Sequence, residues 1–414
     1  MDFKEFESQF LNRLNAQQRE AVLAVDGPIL LLATPGSGKT TVLVTRLGYM
    51  TLIRGIAHRS ILTMTYTVAA TGDMKSRFAA FFGERAAEEM QFRTINGVSD
   101  SIIKYAARNH VGRTPFELQT DDGELKHLIR GIYQSVNDGY PEDSEINEIR
   151  RLITFIKNNM LTDEEIGKLD SSIDKIPEIY RRYKDALRSR QWMDYDDQMS
   201  YAYAILKKYP QVLEHFQTIY PYLCVDEAQD TSRIQHEIIK LLASKTENLF
   251  MVGDEDQSIY GFRAAYPEAL LHFEQDHPNA RILLIEENYR SSREIVAAAN
   301  RFVAENQFRR KKTIVPTRPS GSPVHLVRAK SREHQFLYLV EMARHCSGET
   351  AILFRNNDTA LPLIDLLERA GLTYNCKNID ELFFSHRVVC SGPSTASGLP
   401  NARSEVPRTR PNGL

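Results

Sequence analysis

Four cysteines are scattered through 414 residues, at Cys224, Cys346, Cys376 and Cys390. None belongs to a Cys-x-x-Cys pair, so neither a disulfide framework nor a zinc module is supported, and a reducing cytoplasm fits. Excess charge is also lacking: 52 Lys and Arg against 54 Asp and Glu leave a net charge of −2. No global positive field exists to hold nucleic acid, so any such site has to be a local patch. No apolar run approaches the ~20 residues that span a bilayer. The start, Met1-Asp2-Phe3-Lys4-Glu5-Phe6-Glu7, is acidic and lacks a signal-peptide core. No internal repeat is visible. The rest of the composition, 42% apolar and 26% charged, is that of a soluble globular protein long enough for two or three domains.

Against these absences stands one dense motif. Residues 33–40 read Ala-Thr-Pro-Gly-Ser-Gly-Lys-Thr, directly after Ile29-Leu30-Leu31-Leu32. An apolar strand followed by this loop and a helix is a phosphate-binding loop. Gly36 and Gly38 free the backbone N–H groups of the loop, including that of Ser37, to turn toward phosphate oxygens. Lys39 brings positive charge to the outer phosphates, and the Thr40 hydroxyl is placed to ligate Mg²⁺. The ligand class is therefore a nucleoside triphosphate with magnesium. The loop does not say what the energy drives.

The pattern along the chain is α/β. Strands at Ile29–Ala33 and Ile61–Tyr66, each followed by a helix, predict a parallel sheet with right-handed crossovers. From Asn96 to about Phe216 helical periodicity dominates with no convincing strand. Strands return at Tyr222–Val225 and Leu249–Val252. A second α/β series is expected from Arg281, with strands at Arg281–Ile285, Val324–Arg328, Ala351–Phe354 and Leu372–Asn375 and helices from Ser291, at Glu333–His345 and at Thr359–Ala370. Residues 390–414 are rich in Ser, Pro, Gly and Arg without apolar period, a composition expected to be disordered.

A second anchor is Leu223-Cys224-Val225-Asp226-Glu227-Ala228-Gln229-Asp230. An apolar strand delivers two adjacent carboxylates at its C-terminal end, where ligands bind in open α/β sheets. Alone, an acidic turn would explain it equally well. With a phosphate loop upstream, Asp226 becomes a magnesium ligand through water and Glu227 the group that orients or deprotonates the attacking water.

These residues resemble the UvrD/Rep-like DNA helicases of superfamily 1, over about Leu14 to Val389. Leu14-Asn15-Ala16-Gln17-Gln18-Arg19-Glu20-Ala21-Val22 is similar to the family's glutamine motif, and by that likeness Gln18 reads the adenine edge. Thr65-Tyr66-Thr67 resembles the motif whose aromatic residue, here Tyr66, stacks on single-stranded DNA. Residues 253–263, Gly-Asp-Glu-Asp-Gln-Ser-Ile-Tyr-Gly-Phe-Arg, resemble the third major motif. The likeness gives Gln257 a γ-phosphate contact and turns Tyr260, Phe262 and Arg263 to the strand. Asn288-Tyr289-Arg290-Ser291 resembles the fourth, in which Tyr289 stacks on adenine and Arg290 reaches the γ-phosphate.

The resemblance implies a P-loop NTPase built as a RecA-like ATP-binding domain (1–95 and 217–280), a helical insertion (96–216), a partial second RecA-like domain (281–389) and a disordered tail (390–414). It implies ATP and Mg²⁺ as ligands, single-stranded DNA or DNA with a 3′ single-stranded tail as partner, 3′-to-5′ movement and no membrane. Departures stand at Phe262, where Trp is frequent, at Val68-Ala69-Ala70-Thr71, which lacks the usual lysine, and at Asn96 in place of His. Thr41, counted with the nucleotide-binding residues, stands where an arginine commonly packs near the adenine. Two further motifs expected downstream are absent, so the chain reads as C-terminally truncated, its tail either out of frame or a natural flexible end. A non-catalytic, ATP-gated single-strand-binding fragment is the rival reading. A nuclease subunit is a third, without a visible nuclease carboxylate cluster.

Three lesser features have plain structural readings. His236-Glu237-Ile238-Ile239-Lys240 lacks the second histidine of a zinc-protease helix. Arg309-Arg310-Lys311-Lys312 reads as a solvated loop. Trp192 with Asp194-Tyr195-Asp196-Asp197 resembles a short family motif, and a helix N-terminus packing on the core explains it almost as well.

Overall fold

The computed structural model describes residues 1–112, 116–258, 264–307, 309–355 and 357–376, the side chains of 357 and 358 excepted. They divide into two compact units, one ending at Val324 and one beginning at His325.

The first unit is organised by a six-stranded parallel sheet: β1 (Ile29–Ala33), β2 (Ile61–Thr65), β3 (Gln91–Thr94), β4 (Tyr222–Val225), β5 (Leu249–Gly253) and β6 (Arg281–Ile285), in spatial order β3-β2-β4-β5-β1-β6. Strand side chains alternate between faces, and here both faces are covered. Leu30, Leu32, Leu62, Met64, Leu223 and Val225 point into one core with Ile234, Ile238 and Ile102. Ile29, Leu31, Ala33, Ile61, Cys224 and Phe250 point into the other with Val42, Leu47 and Phe78. That is why these strands read as continuous apolar runs. The sheet edge β3, Gln-Phe-Arg-Thr, is only half-buried, and its polar composition hid it from sequence.

Two expectations are corrected here. The strand Arg281–Ile285 does not open a second sheet. It pairs with β1 from Ile29↔Arg281 to Ala33↔Ile285 and completes the first. Its apolar residues find the open edge of β1, a nearer partner than any strand that follows. The helical insertion also carries a short parallel ladder, Glu117–Leu118 against Trp192–Met193. The insertion otherwise is helical and has its own core, in which Ile149 and Ile179 are fully buried.

In the second unit, helices Arg332–His345 and Asn357–Arg369 pack through Phe336, Val340, Leu363 and Leu367. The stretches 324–328, 351–354 and 372–375, expected as strands, are not strands. A strand is defined by its ladder, and the described residues bring no neighbour to them. No helix among the described residues is long and apolar enough to cross a membrane. The expected tail lies outside the described residues.

Candidate nucleotide and strand-contact site

The phosphate loop leaves β1 at the C-terminal edge of the sheet. Thr34 fixes its start, its N–H and hydroxyl both bonding to the Ile285 carbonyl at 3.0 and 3.2 Å. Gly36 and Gly38 take positive φ, +69° and +82°. At Gly36 a second constraint applies, because a Cβ would lie 2.7 Å from the Arg290 Cβ and 2.9 Å from the Asn288 amide nitrogen. Only glycine admits this approach. Asn288 in turn donates to the Pro35 carbonyl, at 2.5 Å, and accepts from the N–H groups of Arg290 and Ser291. The Tyr289 N–H bonds to the Gly36 carbonyl at 3.0 Å. The expected γ-phosphate contact Arg290 therefore sits directly on the loop, in the same unit as Lys39.

The helix Lys39–Leu52 starts from Gly38 with no side-chain cap. Its first-turn N–H groups have no partner within the helix and its positive dipole end faces the loop, an arrangement suited to an anion. Ser37 adds a buried hydroxyl with no hydrogen-bond partner among the described residues. Thr40 is half-buried and Thr41 is exposed. An anion-binding backbone with an orphaned hydroxyl fits a polyphosphate.

On β4, separated from β1 by β5, Asp226 and Glu227 lie at the strand end. Lys39 Nζ donates to Glu227 Oε2 at 3.0 Å, joining the loop to this pair. Glu227 adopts φ +49°, a left-handed conformation, and its N–H bonds to Asp226 Oδ1 at 3.0 Å. Burial and the adjacent Glu227 charge push Asp226 up to about 6. For Glu227 burial also raises proton affinity, but the Lys39 charge and the bonds from Gln229 and Lys39 outweigh it and hold the carboxyl below its usual range. The pair has two acids and one lysine. Hard oxygen donors short of positive charge fit a Mg²⁺ ion, with Thr40 and Asp226 as its candidate ligands.

The third motif follows β5. Gln257 Nε2 donates to Asp254 Oδ2 at 2.6 Å. Gln229 joins the two strand ends: its Nε2 donates to Glu227 at 2.8 Å and its Oε1 accepts the Asp254 N–H at 3.0 Å. Tyr260, Phe262 and Arg263 lie outside the described residues.

Gln18 caps its own helix. Its Oε1 accepts the Asn15 N–H at 3.0 Å and its Nε2 donates to the Ser37 carbonyl at 2.8 Å. One amide N–H and one lone pair remain for an adenine edge. Tyr289 is 40% exposed, its hydroxyl held by Asn15 and Glu287 at 3.0 and 2.6 Å. Tyr66 is half-buried and borders a groove of about 880 Å³ shared with Asn96, Arg150, Arg151 and Tyr195.

The basic run at 309–312 is not a solvated loop, and its reading is corrected. Lys312 is buried to 2% exposure of its side chain, with Nζ 2.6 Å from both Asp254 Oδ1 and Glu255 Oε2 and 3.4 Å from Asp256. Arg309 forks onto Asp256 at 2.7 Å, and the Arg310 N–H bonds to Glu255. The acids lie more than fifty residues upstream, so nothing local in the sequence signals the pairing. Gln229 and Gln17, which pairs with Glu286 through both amide atoms, were missed for the same reason. At residues 194–197 the helix-cap reading holds. Asp194 and Asp197 form a capping box and share the buried Lys157, at 2.6 and 2.7 Å. His236 lies on a plain helix, Arg233–Ala243.

Comparison with known proteins places the chain among helicases. The model of the UvrD/REP helicase N-terminal domain matches residues 14–278, and that of the UvrD-like helicase C-terminal domain matches residues 283–389. The ATP-dependent DNA helicase PcrA of Bacillus subtilis (strain 168) is 33% identical over 377 residues, covering 89% of this chain and 51% of that protein. PcrA of Staphylococcus aureus (strain Mu50) is 31% identical over 375 residues, covering 88% of this chain and 50% of that protein. PcrA of Staphylococcus epidermidis is 32% identical with similar coverage. The chain spans about half the length of the curated relatives it matches. It belongs to the UvrD/Rep helicase family.

Proposed function

We propose, with the chain taken as a UvrD/Rep-type helicase, that it hydrolyses ATP and couples hydrolysis to 3′-to-5′ movement along single-stranded DNA, as part of a DNA helicase. The observation that carries this reading is the Lys39–Glu227 ion pair at 3.0 Å, which joins the phosphate loop to the acid pair. Lys39 binds the outer phosphates. Thr40 and Asp226 would hold Mg²⁺, which would supply neutralisation of the phosphate charge. Glu227, kept ionised by Lys39 and Gln229, orients the attacking water and accepts its proton. Gln257 and Arg290 contact the γ-phosphate, so both respond to its presence. Tyr289 stacks on adenine, and Gln18 uses its remaining amide groups on the adenine edge.

Gln257 belongs to the same motif as Tyr260, Phe262 and Arg263, the strand contacts. Sensing of the γ-phosphate and grip on bases are thereby joined, and aromatic stacking, worth ~1–3 kcal/mol per base, needs no sequence. The DNA partner enters past Tyr66.

The test is ATP hydrolysis with and without single-stranded DNA, for the wild type and Lys39→Ala. DNA-stimulated turnover that Lys39→Ala abolishes is expected. Nucleotide-dependent DNA binding without turnover would instead mark the chain as an ATP-gated binding fragment.

A further inference from the structure

We infer that Lys312 is a positioning residue for the γ-phosphate contact of Gln257. This rests on the reading of Gln257 given above. The Asp254 carboxylate divides its work. Oδ1 accepts from Lys312 Nζ at 2.6 Å, and Oδ2 accepts from Gln257 Nε2 at 2.6 Å. Lys312 thus fixes the orientation of the carboxylate, and the carboxylate fixes the Gln257 amide, leaving its second N–H for a phosphate oxygen. Asp254 is fully buried and Lys312 nearly so. A buried ion pair gains little net stability over apolar packing, but it holds its partners in one geometry.

The other end of the same segment reaches the second γ-phosphate contact. The Thr313 N–H bonds to the Glu286 carboxylate, and the Val315 N–H to the Glu286 carbonyl. Val315–Pro316 then pairs with Glu287–Asn288, directly before Tyr289 and Arg290. Residues 309–317 form a strut between Gln257 and Arg290, and Lys312 pins its buried end. Lys312 Nζ meets Asp254, Glu255 and Asp256, none of which belongs to the phosphate loop. Lys312 therefore bears on recognition of the third phosphate and not on nucleotide binding as such.

The experiment measures the affinity of the whole chain for fluorescent ADP and for a non-hydrolysable ATP analogue. The quantity read is their ratio. Lys312→Met is expected to lower the preference for the triphosphate by about fivefold or more, with ADP affinity kept within about twofold. Gln257→Ala is expected to lower it equally, and the double variant no further. Lys312→Met/Glu255→Gln leaves fewer carboxylates without a cation, and is read in the same way should the single variant not fold. A preference that falls in Gln257→Ala but stays in the folded Lys312 variants overturns the role of Lys312. A preference unmoved by Gln257→Ala overturns the reading of Gln257 itself.

Discussion

The adjacent strands β4 and β5 both end in a run of acids, yet the two runs are balanced differently. Asp226 and Glu227 face one lysine, and the Glu227 side chain is 42% exposed. Asp254, Glu255 and Asp256 face Lys312 and Arg309 from a single segment, with the first two carboxylates almost wholly buried. In the first group Asp226 has no ion pair among the described residues, so it can take up a metal ion or a proton. In the second every carboxylate has a cation against it, and the group holds shape. Identical residue types at equivalent strand ends thus serve chemistry in one case and architecture in the other, and the counter-charges decide which.

The comparison breaks most visibly at Lys312. Lys312→Met strands buried carboxylates, which costs about 3–5 kcal/mol. Thermal unfolding is expected to show a fall of roughly 5 °C in Tm. A fall under about 2 °C would mean the second group is not held by this lysine.

The first group predicts the opposite sign. Burial and the adjacent Glu227 charge push Asp226 up to about 6, above the ordinary carboxylate value of 3.8. The folded state holds this proton more tightly, so Asp226 costs stability progressively as pH rises from about 4 to 6, and the cost is complete above that. Asp226→Asn is expected to gain about 2 kcal/mol at pH 8 without divalent cations, and to remove this falling limb from the pH–stability curve. A loss of stability at pH 8 would show the carboxylate to be structural.

The smallest effect is expected at the rim. Asp256 is held below its usual range because Arg309 and Lys312 outweigh its burial. Its stabilisation is present above the unfolded carboxylate pKa and disappears as pH falls through the folded one. Arg309→Gln is expected to cost roughly 1 kcal/mol at pH 7, discounted because the pair is only part-buried. In urea titrations the cost should vanish at acid pH.

How much was legible from sequence follows from the range of the interactions. Ile29–Ala33 and Thr34–Thr40 announce themselves, because a buried strand and a phosphate loop are dictated by neighbouring residues. Asp226 and Glu227 gained meaning only beside that loop. Arg281–Ile285 was recognised as a strand but assigned to the wrong sheet, since its apolar pattern does not state that β1 is its partner. Val324–Arg328, Ala351–Phe354 and Leu372–Asn375 have strand composition without a ladder, and composition alone does not form one. Lys312 was misread because a basic run is ordinarily solvated. Only the fold reveals that three acids from β5 surround it.

The most direct test is Glu227→Gln, which keeps the shape of the side chain and removes its charge. ATP turnover in the presence of single-stranded DNA is expected to fall by about 10²-fold or more, the scale of a lost general base. The Tm of the same sample is expected to move by less than about 2 °C. Turnover within about threefold of wild type, or a large loss of stability, would place Glu227 with the structural acids and contradict the division between the two strand ends.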